Sequence, residues 1–515
     1  MPNAPAWQLT APLPACAPLD RDERADVCVV GAGITGLNVA YTLALDGRRV
    51  LVIDDGEIGG GETSRTTAHL STALDRSYVE IERVHGTDGA RLAAESHAAA
   101  ILRIASIARA EGIECGFEPL EGYLFGSSPE SASTLERERA AAQRAGVRVA
   151  FAQRAPLHNF DTGAALCYAD QAQIDPRAYV AGLACAAQRR GVRFATSTHV
   201  QAVHGGTCAR VETTRGPIVT CDAVVVATNV PINDRLAVVT KLAAYTTYVI
   251  AARVPPAAVS RALFWDDAQP YHYVRFGGGD DPLLIVGGED HRSGQDEFQL
   301  ERFLRLEAWA RKLVPDLGPV QRRWSGQCME SVDGLAYIGR NPGPYDNVFI
   351  ATGDCGQGIN HGTIAGVLLA DLVAGRANAW SSLYDPGRAS LRSTVRYVRE
   401  NARTALQYGR WLGHGDAHDA SELECGHGTV VRRGWSMVAV WRDESGDLHE
   451  RSAVCPHLGG VVHWNVAART WDCPCHGARF SATGQVISGP ANSDLRELDT
   501  TNRVADVERP RTAAE

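Results

Sequence analysis

Lysine is nearly missing from this chain. Of its 51 basic residues only Lys241 and Lys312 are lysines, so chemistry that borrows a lysine amine or ammonium is confined to two positions. Long apolar runs are missing too: no stretch approaches the ~18 consecutive apolar residues that suggest a bilayer-crossing helix, and no membrane span is expected. Positive charge is not in excess. The formal net charge is −9, which argues against nucleic acid as the main partner, because phosphate binding needs a basic face. The opening MPNAPAWQLTAPLPAC has neither the basic start and apolar core of a signal peptide nor a twin arginine, which sets the expectation of a soluble, cytoplasmic protein. Thirteen cysteines are spread along the chain; in a reducing compartment most would be small buried hydrophobes. Only a group towards the C-terminus breaks that pattern.

What is present exceeds one core: 515 residues imply two to four domains. Residues 26–55, DVCVVGAGITGLNVAYTLALDGRRVLVIDD, read as strand, tight turn, helix and strand. Gly31, Gly33 and Gly36 form GxGxxG, with Ile34 and Thr35 opening the helix. Glycine lets the backbone approach a pyrophosphate, whose charge rests on the helix N-terminus. Asp54, 23 residues after Gly31 and followed by Asp55, stands where a ribose hydroxyl would be held. Further along, IDPRAYVAGLACAAQRRGVRF gives a helix and a strand, and DAVVVATNV a buried strand. Residues 240–290 are rich in strand signals, and a helix is expected at about 296–313. NVFIATGDCGQGINHGTIAGVLLADLVAG then repeats strand, glycine-rich loop and helix. The expected division is a discontinuous nucleotide domain (22–85, 160–235 and 325–380), a substrate domain (86–159 and 236–324), a helical connector (381–415) and, where the apolar period switches to two, a small all-β domain (416–510).

That last domain holds CPHLGGVVHWNVAARTWDCPCHG, residues 455–477. Cys455-x-His457 and Cys473-x-x-His476 supply one cysteine and one histidine from each half. Two of each could hold tetrahedral zinc or a Rieske [2Fe–2S] centre, with thiolates on one iron and imidazoles on the other. Zinc modules usually group like ligands. The mixed half-sites, their spacing, the glycines after each and the later SGPA (488–491) resemble the Rieske family. His463 and Cys475 fall out of register, Cys425-x-His427 reads as a turn entering a strand, and His414 and His418 lie in the connector without the helical motif of a mononuclear iron site. High-potential Rieske members carry a second cysteine in each box, joined as a disulfide; here Cys475 faces Gly460. Ala478 and Phe480 replace the usual serine and tyrosine donors, which lowers the expected potential.

Residues 22–380 resemble the D-amino-acid-oxidase-like family of FAD proteins through the fingerprint, GGGETSRTT (59–67), IDP, ATN (227–229) and DGLAYIG…NVFIATGDCGQGIN. The resemblance implies an α/β FAD-binding fold, Rossmann-like and of glutathione-reductase type, with an inserted α+β substrate domain. It implies that Thr63, Ser64, Thr66 and Thr67 lie near pyrophosphate and flavin, and Val200 near adenine. Ala227, Thr228, Gly353, Gly356, Gln357, Gly358, Ile359 and Asn360 complete the FAD surround. Family amine oxidases use a lysine above the flavin for oxygen; the matching strand reads Pro282-Leu283-Leu284-Ile285-Val286-Gly287. Cys328 and His69 occupy regions where some members tether FAD. Tyr245, Tyr248, Tyr271, Tyr273, Arg275 and His291 lie on strands that could line a substrate site, with sheet packing as the alternative use of each. The leading expectation is a flavin–Rieske oxidoreductase that oxidises an amine, amino acid or related metabolite and releases electrons singly to a ferredoxin or cytochrome. The alternatives are inward flow from a ferredoxin for a reductive or monooxygenating step, and a non-enzymatic redox carrier or sensor.

Overall fold

The computed structural model describes residues 4–498 except 9, 129–130, 158–159, 234–235, 256–258, 278–282, 297, 414 and 418. His414, His418, most of the GGGDD loop at 277–281 and the end of the 416–510 segment thus lie outside the described residues.

A six-stranded sheet runs Tyr337–Arg340, Val348–Thr352, Ala223–Val226, Val27–Val30, Val50–Ile53, Arg193–Ala195. Only its first pair is antiparallel. Successive residues point to opposite faces, and here both faces are buried. Val27, Val29, Val50 and Val52 pack beneath helices Ile34–Leu45, Tyr78–Glu111, Pro176–Arg189 and Gly358–Val373. Cys28, Val30, Leu51 and Ile53 pack against a four-stranded sheet that includes Val200–His204 and Ala209–Thr213. Double burial is why these strands read as unbroken apolar runs.

The larger sheet joins Val320–Ser331, Leu242–Ala252, Leu284–Arg292, His272–Phe276, Leu263–Asp266, Glu118–Phe125, Ala165–Gln173 and His69–Leu70 in that order, with Val149–Ala152 paired to Ala165–Gln173. Helix Gln299–Leu313 covers one face, setting Phe303, Leu306 and Ala310 against Tyr248, Ile250 and Val286. Three elements sit differently from the sequence-based division. Ala165–Gln173 and Val320–Ser331, placed wholly or partly with the nucleotide segments, hydrogen-bond in the larger sheet. The span Tyr78–Glu111 is broken at Gly86 (φ 76°, ψ 173°), at the 85/86 boundary, but the helical part beyond it, placed with the substrate domain, packs its apolar face on the nucleotide domain's helices. Periodicity identifies an element, but the sheet it joins is set by pairing far away in sequence.

The connector is a 3₁₀ turn Leu391–Ser393, helix Thr394–Gln407 and a 3₁₀ turn Tyr408–Leu412. Beyond it lie two antiparallel sheets, one of Gly428–Arg433, Ser436–Arg442 and Leu448–Ser452, the other of His463–Asn465, Thr470–Asp472, Arg479–Ser481 and Val486–Ser488. Among the described residues no helix is long and apolar enough to cross a membrane.

Candidate functional site

One cavity of about 1590 Å³ runs along the mouth of the six-stranded sheet to the larger sheet. Of the residues singled out for FAD, all but Gly36, Ser64, Gly353 and Asn360 border it. Gly36, Ser64 and Asn360 support it from behind, and Gly353, at φ +71°, lies against Leu242, Ser331 and Tyr337. A Cβ on Gly36 would stand 1.9 Å from the Gly31 carbonyl oxygen, so helix and turn meet backbone to backbone. Ser64 Oγ donates to the carbonyls of Gly60 and Gly61, and Asn360 Nδ2 to that of Ser71. Gly31 takes φ +106°, and a Cβ there would lie 2.4 Å from the Ala227 carbonyl oxygen.

Helix Ile34–Leu45 starts at Gly33 with no side-chain cap and no acid in its first turn, which leaves N–H groups and a positive dipole end for an anion. Thr63 Oγ1 accepts from the Ile34 N–H at 3.0 Å. The Asp54 carboxylate accepts from the N–H groups of Ala32 and Gly56 at 2.6 and 2.8 Å, and burial raises its pKa to about 6. A diphosphate-linked nucleotide fits this cradle.

The far end of the cavity is acidic, a feature the sequence did not announce. Asp75, Asp290 and Asp354 border it with Tyr271, Tyr273, Thr247 and Cys328. Asp290 arrives through a β-bulge: pairing steps from Thr246–His291 to Tyr248–Gly288, with Glu289 at φ +60°. Two residues there oppose Thr247 alone, which re-aims Asp290 inward. Asp290 Oδ1 and Asp354 Oδ1 are buried without hydrogen-bond partners. Burial pushes the Asp290 pKa to about 7 and those of Asp75 and Asp354 to about 6, and Asp75 adds to the rise at both others. Burial, then these carboxylates, drive the Cys328 thiol well above its usual range.

Several catalytic candidates prove to be committed elsewhere. Arg275 is buried and donates to the carbonyls of Thr67, Ala68, Ile174 and Phe276, so it braces the flavin-side loop and is not available to a substrate. Tyr248 and His291 bond each other at 3.0 Å on the face covered by helix Gln299–Leu313. Tyr245 pairs across the ladder with Cys328 and Arg292 but does not border the cavity. Tyr271 and Tyr273 do. His69 also borders it, its pKa lowered to about 3 by burial. Leu284 and Ile285 are core residues away from the cavity, and among the described residues no lysine borders it.

In the C-terminal domain, the turns carrying Cys455/His457 and Cys473/His476 face each other. The two imidazoles stand edge to face with centroids 5.0 Å apart, and Cys455 and Cys473 are both buried. His476 Nδ1 is buried with no hydrogen-bond partner, a nitrogen free for a metal. Among the described residues no three His, Cys, Asp or Glu side chains converge as a single ion would need. A binuclear centre divides its ligands, thiolates to one iron and imidazoles to the other, and the donor set fits that division. Gly489, in the SGPA loop, takes φ +110° and lies so close that a Cβ would meet Ala478 Cα at 2.4 Å. His463 is held by Arg410 and Asp416, and Cys425 is exposed.

The second cluster turn docks on the larger sheet. Gln327 Nε2 donates to the Gly477 carbonyl at 3.0 Å, and Gln295 Nε2 to that of Pro474 at 3.2 Å. A Cβ on Gly477 would lie 2.3 Å from Ala244 Cβ, and one on Gly294 2.9 Å from the Asp472 carbonyl oxygen. Buried Arg479 pairs with Glu62 and Asp472. Residues 485–489 and 491–494 also border the adenine end of the cavity, where Asn492 contacts His199 and Gln201. Connector side chains close the first turn: Tyr408 Oη and Trp411 Nε1 donate to the carbonyls of Leu458 and Gly459.

A family model for FAD dependent oxidoreductases matches residues 26–372, and one for the Rieske [2Fe-2S] domain matches residues 415–499. YhfW of Bacillus subtilis (strain 168), described as a Rieske 2Fe-2S iron-sulfur protein, is 27% identical over 96% of this chain and 97% of its own length. Gamma-glutamylputrescine oxidoreductase of Escherichia coli (strain K12) is 27% identical over 71% of this chain and 89% of its own. The crystal structure of glycine oxidase from Geobacillus kaustophilus superposes with a TM-score of 0.61 at 22% identity, covering 71% of this chain and 99% of that one, a likeness of fold.

Proposed function

Since the chain belongs to the FAD-dependent oxidoreductase family over residues 26–372 and carries a Rieske [2Fe–2S] domain over 415–499, it is an FAD enzyme with an iron–sulfur centre; from that premise we propose that it oxidises a cationic amine and releases the electrons to a one-electron carrier. When bound, FAD supplies a two-electron acceptor for an amine C–H bond, and the cluster a one-electron outlet.

The observation that carries this reading is the acidic end of the cavity. Asp290, with an unpartnered oxygen, faces a space shared with Asp75 and Asp354. A substrate ammonium relieves their mutual repulsion and satisfies the free oxygens. Arg275, the guanidinium that could have matched a substrate carboxylate, is spent on backbone carbonyls. Tyr271 and Tyr273, ring centroids 5.6 Å apart, form an aromatic wall suited to a cation. A relative named for gamma-glutamylputrescine agrees with an amine. Thr247 and Tyr273 bond each other at 3.0 Å and fix the strand opposite Asp290. In this reading Asp290 orients the nitrogen and takes its proton as the C–H bond breaks.

The ionised carboxylate is the working form, so kcat/KM should rise with pH through the Asp290 pKa of about 7. Asp290→Asn should remove that limb and cost roughly 10²- to 10⁴-fold in anaerobic flavin reduction by amines, the range for a lost general base, with flavin content unchanged. A variant that keeps the limb would show that Asp290 is not the group.

A further inference from the structure

The connector turns its apolar side to solvent. Leu391, Val395, Val398 and Leu406 are 94%, 80%, 58% and 75% exposed. With Ala402 they recur every three or four residues and so form one stripe. Arg392, Arg396, Arg399 and Arg403 keep the same spacing along one flank. Residues 391–412 hold five arginines and one acid, Glu400, in a chain whose net charge is −9. Glu400 is buried and paired with Arg292 and Arg403, Arg396 pairs with Glu330 and Arg410 with Asp416, so the positive charge left to the flank is that of Arg392 and Arg399. Leu412 and Trp435, 88% and 90% exposed, extend the patch. Arg432 ties their neighbourhoods together by donating to the carbonyls of Trp411 and Gly413.

The position of this patch is informative. Its C-terminal end is fastened to both cluster turns: Thr404 Oγ1 donates to the Cys475 carbonyl at 3.4 Å, Tyr408 to that of Leu458 at 2.8 Å and Trp411 to that of Gly459 at 2.9 Å. The His476 turn is covered by the larger sheet, whereas Pro456 is exposed and His457 and Leu458 are half-buried beside the connector. An exposed apolar patch rimmed by one sign of charge marks an interaction site. Three occupants would cover it. A lipid surface needs no attachment to cluster turns. A second copy in a two-fold contact would bring the arginine flank to an identical flank. An acidic redox protein meets both the charge and the cluster.

We propose that the stripe from Leu391 to Leu412, with its arginine flank, docks a small acidic one-electron carrier protein beside the His457 turn; this rests on the cluster being the outlet proposed above. The probe is an oxidised plant-type [2Fe–2S] ferredoxin titrated calorimetrically into the holoenzyme at low ionic strength, with an acidic flavodoxin as a second probe. Val398→Glu and Arg399→Glu should each raise Kd at least tenfold, as should raising salt from about 20 to about 200 mM. The variants' EPR spectra and turnover with ferricenium, a small acceptor that needs no docking face, should match wild type and show an intact fold.

Unchanged Kd values in both variants, or no saturable binding of either probe to wild type, would overturn the proposal. So would a wild-type dimer that Val398→Glu splits in sedimentation, or retention on phosphatidylglycerol vesicles that the same variant abolishes. If Cys473→Ser keeps full ferricenium turnover, the outlet reading falls instead, and the titration still reports on the surface.

Discussion

At Gly460 one missing side chain separates this cluster from a disulfide-braced one. A Cβ there would stand 2.6 Å from Cys475 Sγ and 3.1 Å from Cys473 Sγ. The residue is not among those with positive φ, so any side chain can adopt its backbone. Ala478 and Phe480 are buried apolar neighbours, and Tyr408 spends its hydroxyl proton on a backbone carbonyl. Fewer donors to the cluster would leave its more negative reduced form less stabilised, and the expected potential lies towards the lower part of the Rieske range. Gly460→Cys should close a disulfide with Cys475 after mild oxidation, because only a few tenths of an ångström separate the present spacing from a bonded one. Thiol titration of the unfolded variant should find one fewer free thiol than in wild type, with the 460 and 475 peptides linked in the mass spectrum. Recovery of Cys475 fully alkylated would mean that the two turns lie farther apart. At Cys328 burial beside three carboxylates opposes the thiolate that a covalent flavin link needs.

The strand–turn–helix from Val27 to Leu45 was legible because its determinants are local: an apolar run, three glycines and an uncapped helix start. Its test is local too. A Cβ on Gly33 would meet Thr63 Oγ1 at 3.1 Å, so Gly33→Val pushes that hydroxyl off the Ile34 N–H and fills the pyrophosphate space. The purified variant should contain iron and acid-labile sulfide but little flavin; full flavin occupancy would put the nucleotide elsewhere. The two half-sites proposed for the cluster are local in the same way, each spanning only a few residues, and the fold brings their imidazoles together. The substrate end was not legible. His291 was singled out and Asp290 passed over, yet adjacent strand residues point to opposite faces, and a bulge at Glu289 decides which one turns inward. Nor could the sequence show that Gly294 and Gly477 bring two domains into contact. That follows from pairing between segments far apart in the chain.

Over the whole molecule the two cofactor sites share one sheet strand. Cys328 borders the flavin cavity, while Gln327, beside it in the chain, holds the carbonyl that follows His476. Neither of the two lysines borders the cavity, and Lys241 donates to the carbonyls of Pro386 and Arg388. The proposed active-site end therefore has no lysine to assist oxygen and is lined by carboxylates, which oppose the build-up of negative charge beside the flavin. Substrate-reduced enzyme should accordingly reduce ferricenium much faster than it reduces oxygen. Cys473→Ser removes a proposed cluster ligand away from the cavity, so it should suppress the ferricenium route while leaving anaerobic flavin bleaching by amine at its wild-type rate. The two measurements separate the directions of flow. If the variant turns over with ferricenium as fast as wild type, the cluster does not drain the flavin, and its docking on the sheet would instead serve electrons arriving from a carrier.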